Sequence, residues 1–288
     1  MQSVSTEFNR ESSVVHQNQE ALLQVAVVTD SAHREEGRAL AKELELPFLE
    51  QGSHVLVETP YVLHLDADGL TLLNQSGSSG SISCDFIGGK LRHRHRFGGG
   101  SGQAIARAIG VKGSFMPTVA DLTAGLGADA FVLAGLGAKV TMVERHPVIA
   151  ALLHNGIDRA IRYGDDKDLL SAVKRMELIR GDARDWLEAI NLDTQVNEQP
   201  DVIYLDPMFP ERTKSAQVKK EMQMLQALVG KDNDIADLLD AALAKARYRV
   251  VVKRPRLASP LADRKPSFSV TGKSTRFDVY VLAKLPGN

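Results

Sequence analysis

The stretch D-L-T-A-G-L-G-A-D-A, Asp121 to Ala130, joins an apolar run to a segment with helical spacing of apolar residues. Gly125 and Gly127 allow a tight turn and a close approach of a ligand to the backbone. The helix that follows offers free N–H groups in its first turn. We therefore predict a strand–turn–helix unit whose turn binds a ligand at the carboxyl edge of a sheet.

From this stretch onward, strand-like runs alternate with helical patterns. The predicted strands cover residues 118–122, 139–143, 176–179, 201–205, 249–252 and 276–283, and the predicted helices cover 129–136, 147–161, 214–229 and 233–246. Parallel strands need long crossover connections, and a buried parallel sheet needs helices on both faces. The pattern favours an α/β fold with a doubly wound, mostly parallel, Rossmann-like sheet.

The preceding residues predict a smaller α+β domain. It contains a strand at 24–29, a helix at 33–44 and strand-like runs at 54–58, 61–65 and 70–74, followed by a Gly- and Ser-rich linker. We also expect a strand from Ser83 to Ile87 and a short helix at 103–109. The predicted organisation is a disordered tail at 1–18, the small domain at 19–82 and the α/β domain at 83–288.

Composition narrows the class of protein. No apolar run approaches the roughly 18 residues of a membrane-spanning helix, and residues 1–18 lack the apolar core of a secretory signal. Cys84 is the only cysteine, which excludes an internal disulfide and a cysteine metal cluster. We expect a cytoplasmic protein. Because the net charge is −1, any nucleic-acid contact requires a local basic patch.

An acidic residue follows the glycine turn at the spacing typical of nucleotide-binding α/β folds. Glu144 ends the predicted strand V-T-M-V-E, nineteen residues after Gly125. A carboxylate at this place accepts hydrogen bonds from a ribose diol, which predicts an adenosine-containing ligand. The spacing alone leaves open a dinucleotide, and it also leaves open a glycine-rich turn that binds no ligand.

The segment V-I-Y-L-D-P-M-F-P, Val202 to Pro210, predicts the catalytic loop. Its apolar strand delivers Asp206 to the carboxyl edge of the sheet, and two prolines stiffen the turn. Methyl transfer to an exocyclic amine requires the nitrogen to lie in line with the methyl carbon. The Asp206 carboxylate and the Pro207 carbonyl would orient the amine, and Phe209 would stack on a splayed-out base. The alternative for Asp206 is a turn-capping role.

Two local motifs resemble class I S-adenosylmethionine-dependent methyltransferases. Asp121 stands four residues before Gly125, as in their first motif, and the Asp206 loop resembles their D-P-P-Y loop, with Met208 in place of the second proline. By this resemblance Asp129 faces the methionine ammonium, and Asp182, which is also a predicted helix N-cap, faces the adenine. The cofactor-binding residues that it implies are Asp121, Gly125, Gly127, Ala128, Asp129, Glu144, Arg145, Asp182, Ala183 and Asp206.

A longer segment, D-P-M-F-P-E-R-T-K-S-A-Q-V-K-K-E-M, is similar to the RsmJ family of ribosomal RNA guanine-N2 methyltransferases. The runs D-L-T-A-G-L-G-A-D-A-F-V-L-A, V-E-R-H-P-V-I-A-A-L-L and F-G-G-G-S-G-Q-A-I-A-R-A-I-G extend the likeness over about residues 83–284. It implies methyl transfer from S-adenosylmethionine, with S-adenosylhomocysteine as product, to a guanine amino group near the 3′ end of small-subunit ribosomal RNA. We expect a monomer that uses no metal, binds no membrane and acts on ribosomal RNA or the small ribosomal subunit.

Basic residues cluster in residues 90–100 and in the loops after two predicted strands, and we expect those loops at the ligand edge. The segment K-L-R-H-R-H-R-F-G-G-G, residues 90–100, and the residues after two predicted strands could track phosphates. A solvated, charge-guarded edge strand is the alternative for residues 90–100. The predicted RNA-binding residues are Arg92, Arg94, Arg96, Lys214, Lys253 and Arg254, with Arg256, Arg264, Lys265 and Lys273 nearby.

Other functions remain open from the residues themselves. DNA or transfer RNA as substrate, or adenine N6 as target, would use the same chemistry. A nucleotide-dependent oxidoreductase would explain Gly125, Gly127 and Glu144 but not the Asp206 loop. A non-catalytic RNA-binding factor would explain the basic residues but not the conjunction of the glycine turn with that loop.

Overall fold

The computed structural model describes residues 25–50, 59–75, 80–88, 103–112, 114–190, 199–207, 216–229 and 234–286, with the backbone alone for 216–222. The chain divides into two compact units, one made of Met1–Cys84 with Arg212–Lys231 and the other of Asp85–Glu211 with Asp232–Asn288. The domain bounds drawn from the sequence stay a prediction. Within the described ranges, no helix has both the length and the apolar composition needed to span a bilayer.

The first unit contains a five-stranded mixed sheet. Its N-terminal elements are β1 (Val25–Thr29), α1 (Arg34–Glu43), β2 (Phe48–Glu50), β3 (Tyr61–Asp66), β4 (Gly69–Asn74) and β5 (Ser81–Ser83). The strand order is β2-β1-β3-β4-β5, with β1 parallel to β2 and β3 and the other pairs antiparallel. All five residues of β1 are buried, as expected for a central strand paired on both sides.

The expected strand at Ser83–Ile87 is wrong, and the structure shows why. The sheet takes β5 at Ser81–Ser83, and the chain then turns. Asp85 Oδ1 accepts hydrogen bonds from the backbone N–H groups of Ile87, at 2.9 Å, and Gly88, at 3.1 Å. A short acidic side chain thereby takes donors that a strand ladder would need. The strand-like run at 54–58 lies outside the described residues.

The elements of the second unit alternate as the sequence predicts. They are α2 (Ala104–Ile109), β6 (Val119–Asp121), α3 (Ala128–Gly135), β7 (Val140–Glu144), α4 (Pro147–Tyr163), α5 (Lys167–Val173), β8 (Met176–Arg180), α6 (Ala183–Ala189) and β9 (Val202–Leu205). Next in the chain is α7 (Ala216–Val229), which belongs to the first unit. The remaining elements are α8 (Ile235–Lys245), β10 (Arg249–Pro255), a 3-10 turn (Leu261–Asp263), β11 (Phe268–Thr271) and β12 (Thr275–Val281).

The seven strands form one sheet in the order β11-β12-β10-β9-β6-β7-β8. Strands β6 to β10 pair in parallel, and β12 runs antiparallel to both β10 and β11. The predicted α/β, doubly wound, mostly parallel sheet is confirmed. On one face of the sheet, Ile203 and Val250 belong to a buried apolar cluster with Leu187 of α6 and Leu239 of α8. Each such side chain contributes about 1.5–3 kcal/mol on burial.

The topology fixes where a ligand can enter. The chain leaves β6 toward β7 and β8 on one side, and it returns to add β9 and β10 on the other side. The connections at the carboxyl ends of β6 and β9 therefore diverge and leave a crevice between them. Both sequence motifs, the glycine turn and the Asp206 loop, begin at this crevice.

Candidate active site

The carboxyl edge of the sheet gathers five charged side chains. Asp121 and Glu144 are the last residues of β6 and β7, Asp206 directly follows β9, and Lys253 lies in the C-terminal half of β10. Asp129 is in the first turn of α3, after the glycine turn. Parallel strands end at the same edge, so residues far apart in the chain meet there.

Glu144 ties two loops of this edge together. One oxygen, Oε2, accepts from the backbone N–H of Gly125 at 2.8 Å, and the other, Oε1, accepts from that of His146 at 2.8 Å. Glu144 thus fixes the shape of the glycine turn and remains in place for the predicted diol contact.

The two glycines of the turn have different physical reasons to be glycine. Both have left-handed backbone, with φ of +54° at Gly125 and +70° at Gly127. A Cβ on Gly125 would have no atom within 4 Å, whereas one on Gly127 would lie 2.7 Å from Leu153 Cδ1 of α4. Gly125 therefore faces open space beside Glu144, and Gly127 allows α3 to pack closely against the core.

A chain of hydrogen bonds joins the glycine turn and α3 to the Asp206 loop. The Tyr204 hydroxyl donates to Asp129 Oδ2 at 2.7 Å. Lys253 Nζ donates to the same oxygen at 2.7 Å and to Asp206 Oδ2 at 2.6 Å. The backbone N–H of Asp206 donates to Thr123 Oγ1 at 2.6 Å. Sequence reasoning missed Tyr204 and Thr123, although a tyrosine inside the apolar run V-I-Y-L was a signal for the first.

Burial and crowding of carboxylates dominate the electrostatics. Burial raises the pKa of Asp121 to about 8, and the charges of Asp129 and Asp206 add to this, while the Thr123 N–H and Lys253 oppose it. Burial would lower the pKa of Lys253, but Asp129 and Asp206 outweigh it, so the pKa lies above its usual range. Burial and the same carboxylates raise the pKa of Tyr204. The crevice is therefore acidic and suited to a cationic ligand.

Two arginines form hydrogen bonds to acidic residues on the predicted adenine side of the site. Asp182 caps α6, since its Oδ1 accepts from the backbone N–H of Arg184 at 2.8 Å, which confirms the predicted N-cap. Burial raises the pKa of Asp182, but the hydrogen bonds from Arg184 outweigh it and keep the pKa below its usual range. Arg145 Nη1 donates to both Asp234 oxygens, at 3.2 and 3.1 Å, and so bonds to the residue that precedes α8. Ala183 is buried beside them.

The remaining predicted site residues either lie outside the described residues or are buried. Phe209, Arg92, Arg94, Arg96 and Lys214 lie outside the described residues, and Pro207, at the end of the described part of its loop, is buried. Arg254 is also buried, and its Nε and Nη2 donate to the Ser259 carbonyl at 3.1 and 2.7 Å. A guanidinium enclosed in this way holds the loop after β10, so we leave Arg254 out of the proposed RNA contacts.

Replacing Asp121 by Asn should change how stability depends on pH. The folded pKa of about 8 exceeds the usual 3.8, so the proton stabilises the fold below pH 4 and this stabilisation is lost as the pH rises to about 8. Asp121→Asn cannot ionise and keeps an oxygen for the Thr123 N–H, which lies 3.2 Å from Asp121 Oδ1. Urea unfolding at pH 5.5, 6.5 and 7.5 should show the variant gaining about 1 kcal/mol per pH unit over the wild type. Parallel curves would contradict an ionisable, buried Asp121.

Comparison with known proteins shows the family of the chain. The family model described as "Putative SAM-dependent methyltransferase" matches residues 48–282. The chain is 51% identical over 249 residues to ribosomal RNA small subunit methyltransferase J of Thioalkalivibrio sulfidiphilus, covering 86% of this chain and 93% of that protein. It is 45% identical over 270 residues to the protein of that name from Cellvibrio japonicus, covering 92% and 100%.

A solved structure supports the same assignment. The chain is similar to a SAM-dependent methyltransferase from Neisseria gonorrhoeae, with a TM-score of 0.67 and 35% identity over 89% of this chain and 95% of that chain. Identity at this level over nearly the full length of both chains reaches beyond the fold to the family. The chain belongs to the ribosomal RNA small subunit methyltransferase J family of S-adenosylmethionine-dependent methyltransferases.

Proposed function

We propose that the protein transfers a methyl group from S-adenosylmethionine to the N2 amino group of a guanine in small-subunit ribosomal RNA. The observation that supports this proposal is that the Lys253 ammonium donates hydrogen bonds both to Asp206 and to Asp129. Asp129 lies in the first turn of α3, directly after the glycine turn. An acceptor that can orient an amine is thus joined to the cofactor-binding turn. Family membership also decides against the nucleotide-dependent oxidoreductase that the glycine turn left open.

The residues present fit S-adenosylmethionine. This cofactor carries a positive sulfonium and a positive ammonium, and the crevice presents Asp121, Asp129 and Asp206 around one lysine. The open space at Gly125 lies beside Glu144, the predicted partner of the ribose diol. Asp182 and Ala183 would border the adenine. When bound, the cofactor supplies an electrophilic methyl group, and the chain supplies position and charge.

The Asp206 loop would orient the target amine. The lone pair of a guanine amino group is shared with the ring, so the nitrogen must be held in line with the methyl carbon. In this proposal the Asp206 carboxylate and the Pro207 carbonyl accept hydrogen bonds from its two N–H groups. The proton leaves readily once the nitrogen has gained the methyl group, so no strong general base is needed. Phe209 stacking on the base stays a prediction.

The RNA contacts that we propose among the described residues are exposed cations after β10. Arg256, Lys265 and Lys273 are all exposed and lie between β10 and β12 in the chain. Lysines and arginines that reach phosphates make binding strongly salt-dependent. The contacts of Arg92, Arg94, Arg96 and Lys214, the choice between free RNA and the small subunit, and the monomeric state stay predictions.

Alanine at the two turn glycines should separate ligand binding from packing. Gly125→Ala should weaken binding of S-adenosylhomocysteine about tenfold, because its methyl group would enter the open space proposed for the ligand. It should also cost about 1–2 kcal/mol of stability, because the backbone there is left-handed. Gly127→Ala should cost about 2–5 kcal/mol, since strain and the clash with Leu153 add. Calorimetric titration and urea unfolding measure the two effects. Gly135→Ala, at an exposed helical position, is the control and should leave binding unchanged.

Removing the Asp206 carboxylate should slow catalysis strongly while leaving the fold intact. Asp206→Ala and Asp206→Asn should lower kcat by about 10²–10³-fold, the effect of losing one oriented hydrogen-bond partner. The assay follows labelled methyl groups from S-adenosylmethionine into unmodified small subunits, free ribosomal RNA, transfer RNA and DNA, with digestion to nucleosides. Label should appear in N2-methylguanosine from ribosomal RNA.

The controls make this assay decisive. Glu188→Gln, an exposed carboxylate on α6, should retain wild-type activity. Label in another nucleoside would keep the methyltransferase class and discard the proposed target. Full activity in Asp206→Ala would remove Asp206 from the reaction.

A further inference from the structure

Lys253 occupies a place that its sequence context does not explain. It follows Val250, Val251 and Val252, which are fully buried in β10, and it precedes the basic residues that we predicted to contact RNA. Its side chain is 22% exposed, and its ammonium is directed at two carboxylates. Two of the three ammonium N–H donors are therefore committed to protein oxygens. A phosphate would have to compete with both.

One side of this bridge is rigid. Asp129 is 6% exposed, and its Oδ2 accepts from Lys253 and from the hydroxyl of Tyr204, which is fully buried in β9. The position of Lys253 Nζ is thus set by a buried cluster that joins α3, β9 and β10. Separating Lys253 from Asp129 would leave an uncompensated buried charge, which is costly. We therefore expect the two side chains to keep this arrangement.

The other side of the bridge is Asp206, the residue that orients the target amine in the proposed reaction. The Asp206 side chain is 37% exposed and lies at the start of the loop, where its backbone N–H is held by Thr123. Asp129 would repel an ionised Asp206 and favour rotation toward solvent. The ammonium between Asp129 and Asp206 reverses that balance and holds the Asp206 carboxylate over the crevice.

We propose that Lys253 is a positioning residue for methyl transfer, which holds the Asp206 carboxylate in register with Asp129 and the cofactor-binding turn. The inference rests on the proposed function, because it concerns the carboxylate that orients the target amine. It replaces the RNA contact predicted for Lys253 from its basic neighbours. In-line displacement is sensitive to small errors of position, so loss of this bridge affects the chemical step more than binding.

Three variants of the full-length protein test the role. Lys253→Met removes the charge and keeps most of the length of the side chain, Lys253→Arg keeps a charge, and Arg256→Met removes an exposed cation three residues further on. For each, we measure kcat and KM with unmodified small subunits, the Kd of S-adenosylhomocysteine by calorimetry, and RNA affinity over a range of salt concentrations. Thermal melting checks that each variant folds.

The expected results separate positioning from phosphate binding. Lys253→Met should lower kcat by about 10²-fold, with RNA affinity and its salt dependence unchanged. Lys253→Arg should recover part of kcat. Arg256→Met should instead weaken RNA binding and reduce the slope of log affinity against log salt by about one, with kcat retained at saturating RNA. In the Asp206→Asn background, Lys253→Met should add little further loss, because it acts through Asp206.

Other outcomes would overturn the proposal. A Lys253→Met variant that loses RNA affinity and salt dependence but keeps kcat is a phosphate contact. Wild-type kcat and KM in Lys253→Met would leave Lys253 with no role in the reaction. If Lys253→Met does not fold, Lys253→Arg decides alone, since it should lower kcat with normal RNA affinity, and equal losses of both would overturn the idea. A wild-type protein that binds S-adenosylhomocysteine but methylates no RNA contradicts the proposed function instead.

Discussion

The parallel pairing of β6 with β9 is the constraint on which the site depends. Its register sets Asp121 opposite Tyr204, so the residues just beyond both strands, Thr123 and Asp206, meet at 2.6 Å. The pairing also creates the crevice, because the chain leaves these two strands in opposite directions. A shift of register by one residue would turn Tyr204 to the other face of the sheet and away from Asp129.

Charge in the crevice is arranged for a cationic ligand. Three acidic side chains stand around one ammonium, and the most buried of them, Asp121, has a pKa raised to about 8 by burial and by its acidic neighbours. A sulfonium or ammonium placed among them would offset the repulsion that burial strengthens. The family's cofactor has both groups, which gives a physical reason for so many acidic residues at one sheet edge.

The basic residues at the end of β10 and directly after it have three different surroundings. Side chains alternate between the two faces of a strand, so neighbouring cations separate. Lys253 bridges Asp129 and Asp206, Arg254 is buried against the Ser259 carbonyl, and Arg256 is exposed. Of these three side chains, that of Arg256 alone is exposed, as the proposed phosphate contact requires. Composition groups these residues as one basic patch, whereas their surroundings give them three roles.

The sequence by itself determined the features that local chemistry controls. The alternation of buried strands and helices, the glycine turn, the acidic end of β7 and the N-cap at Asp182 could all be predicted, because each depends on residues close together in the chain. Short or polar elements such as α5 and β11 were not predicted, since their seven and four residues are too few for a clear periodicity. The strand expected at Ser83–Ile87 failed because the Asp85 side chain captured two backbone donors.

Only the tertiary structure decided which side chains share the site. Tyr204 and Asp129 are 75 residues apart in the chain, and Lys253 and Asp129 are 124 apart, yet each pair is joined at 2.7 Å. No local pattern reports such a contact, because it depends on strand order and register across the whole sheet. That is why Lys253 looked like an RNA contact in the sequence and is an internal bridge in the structure.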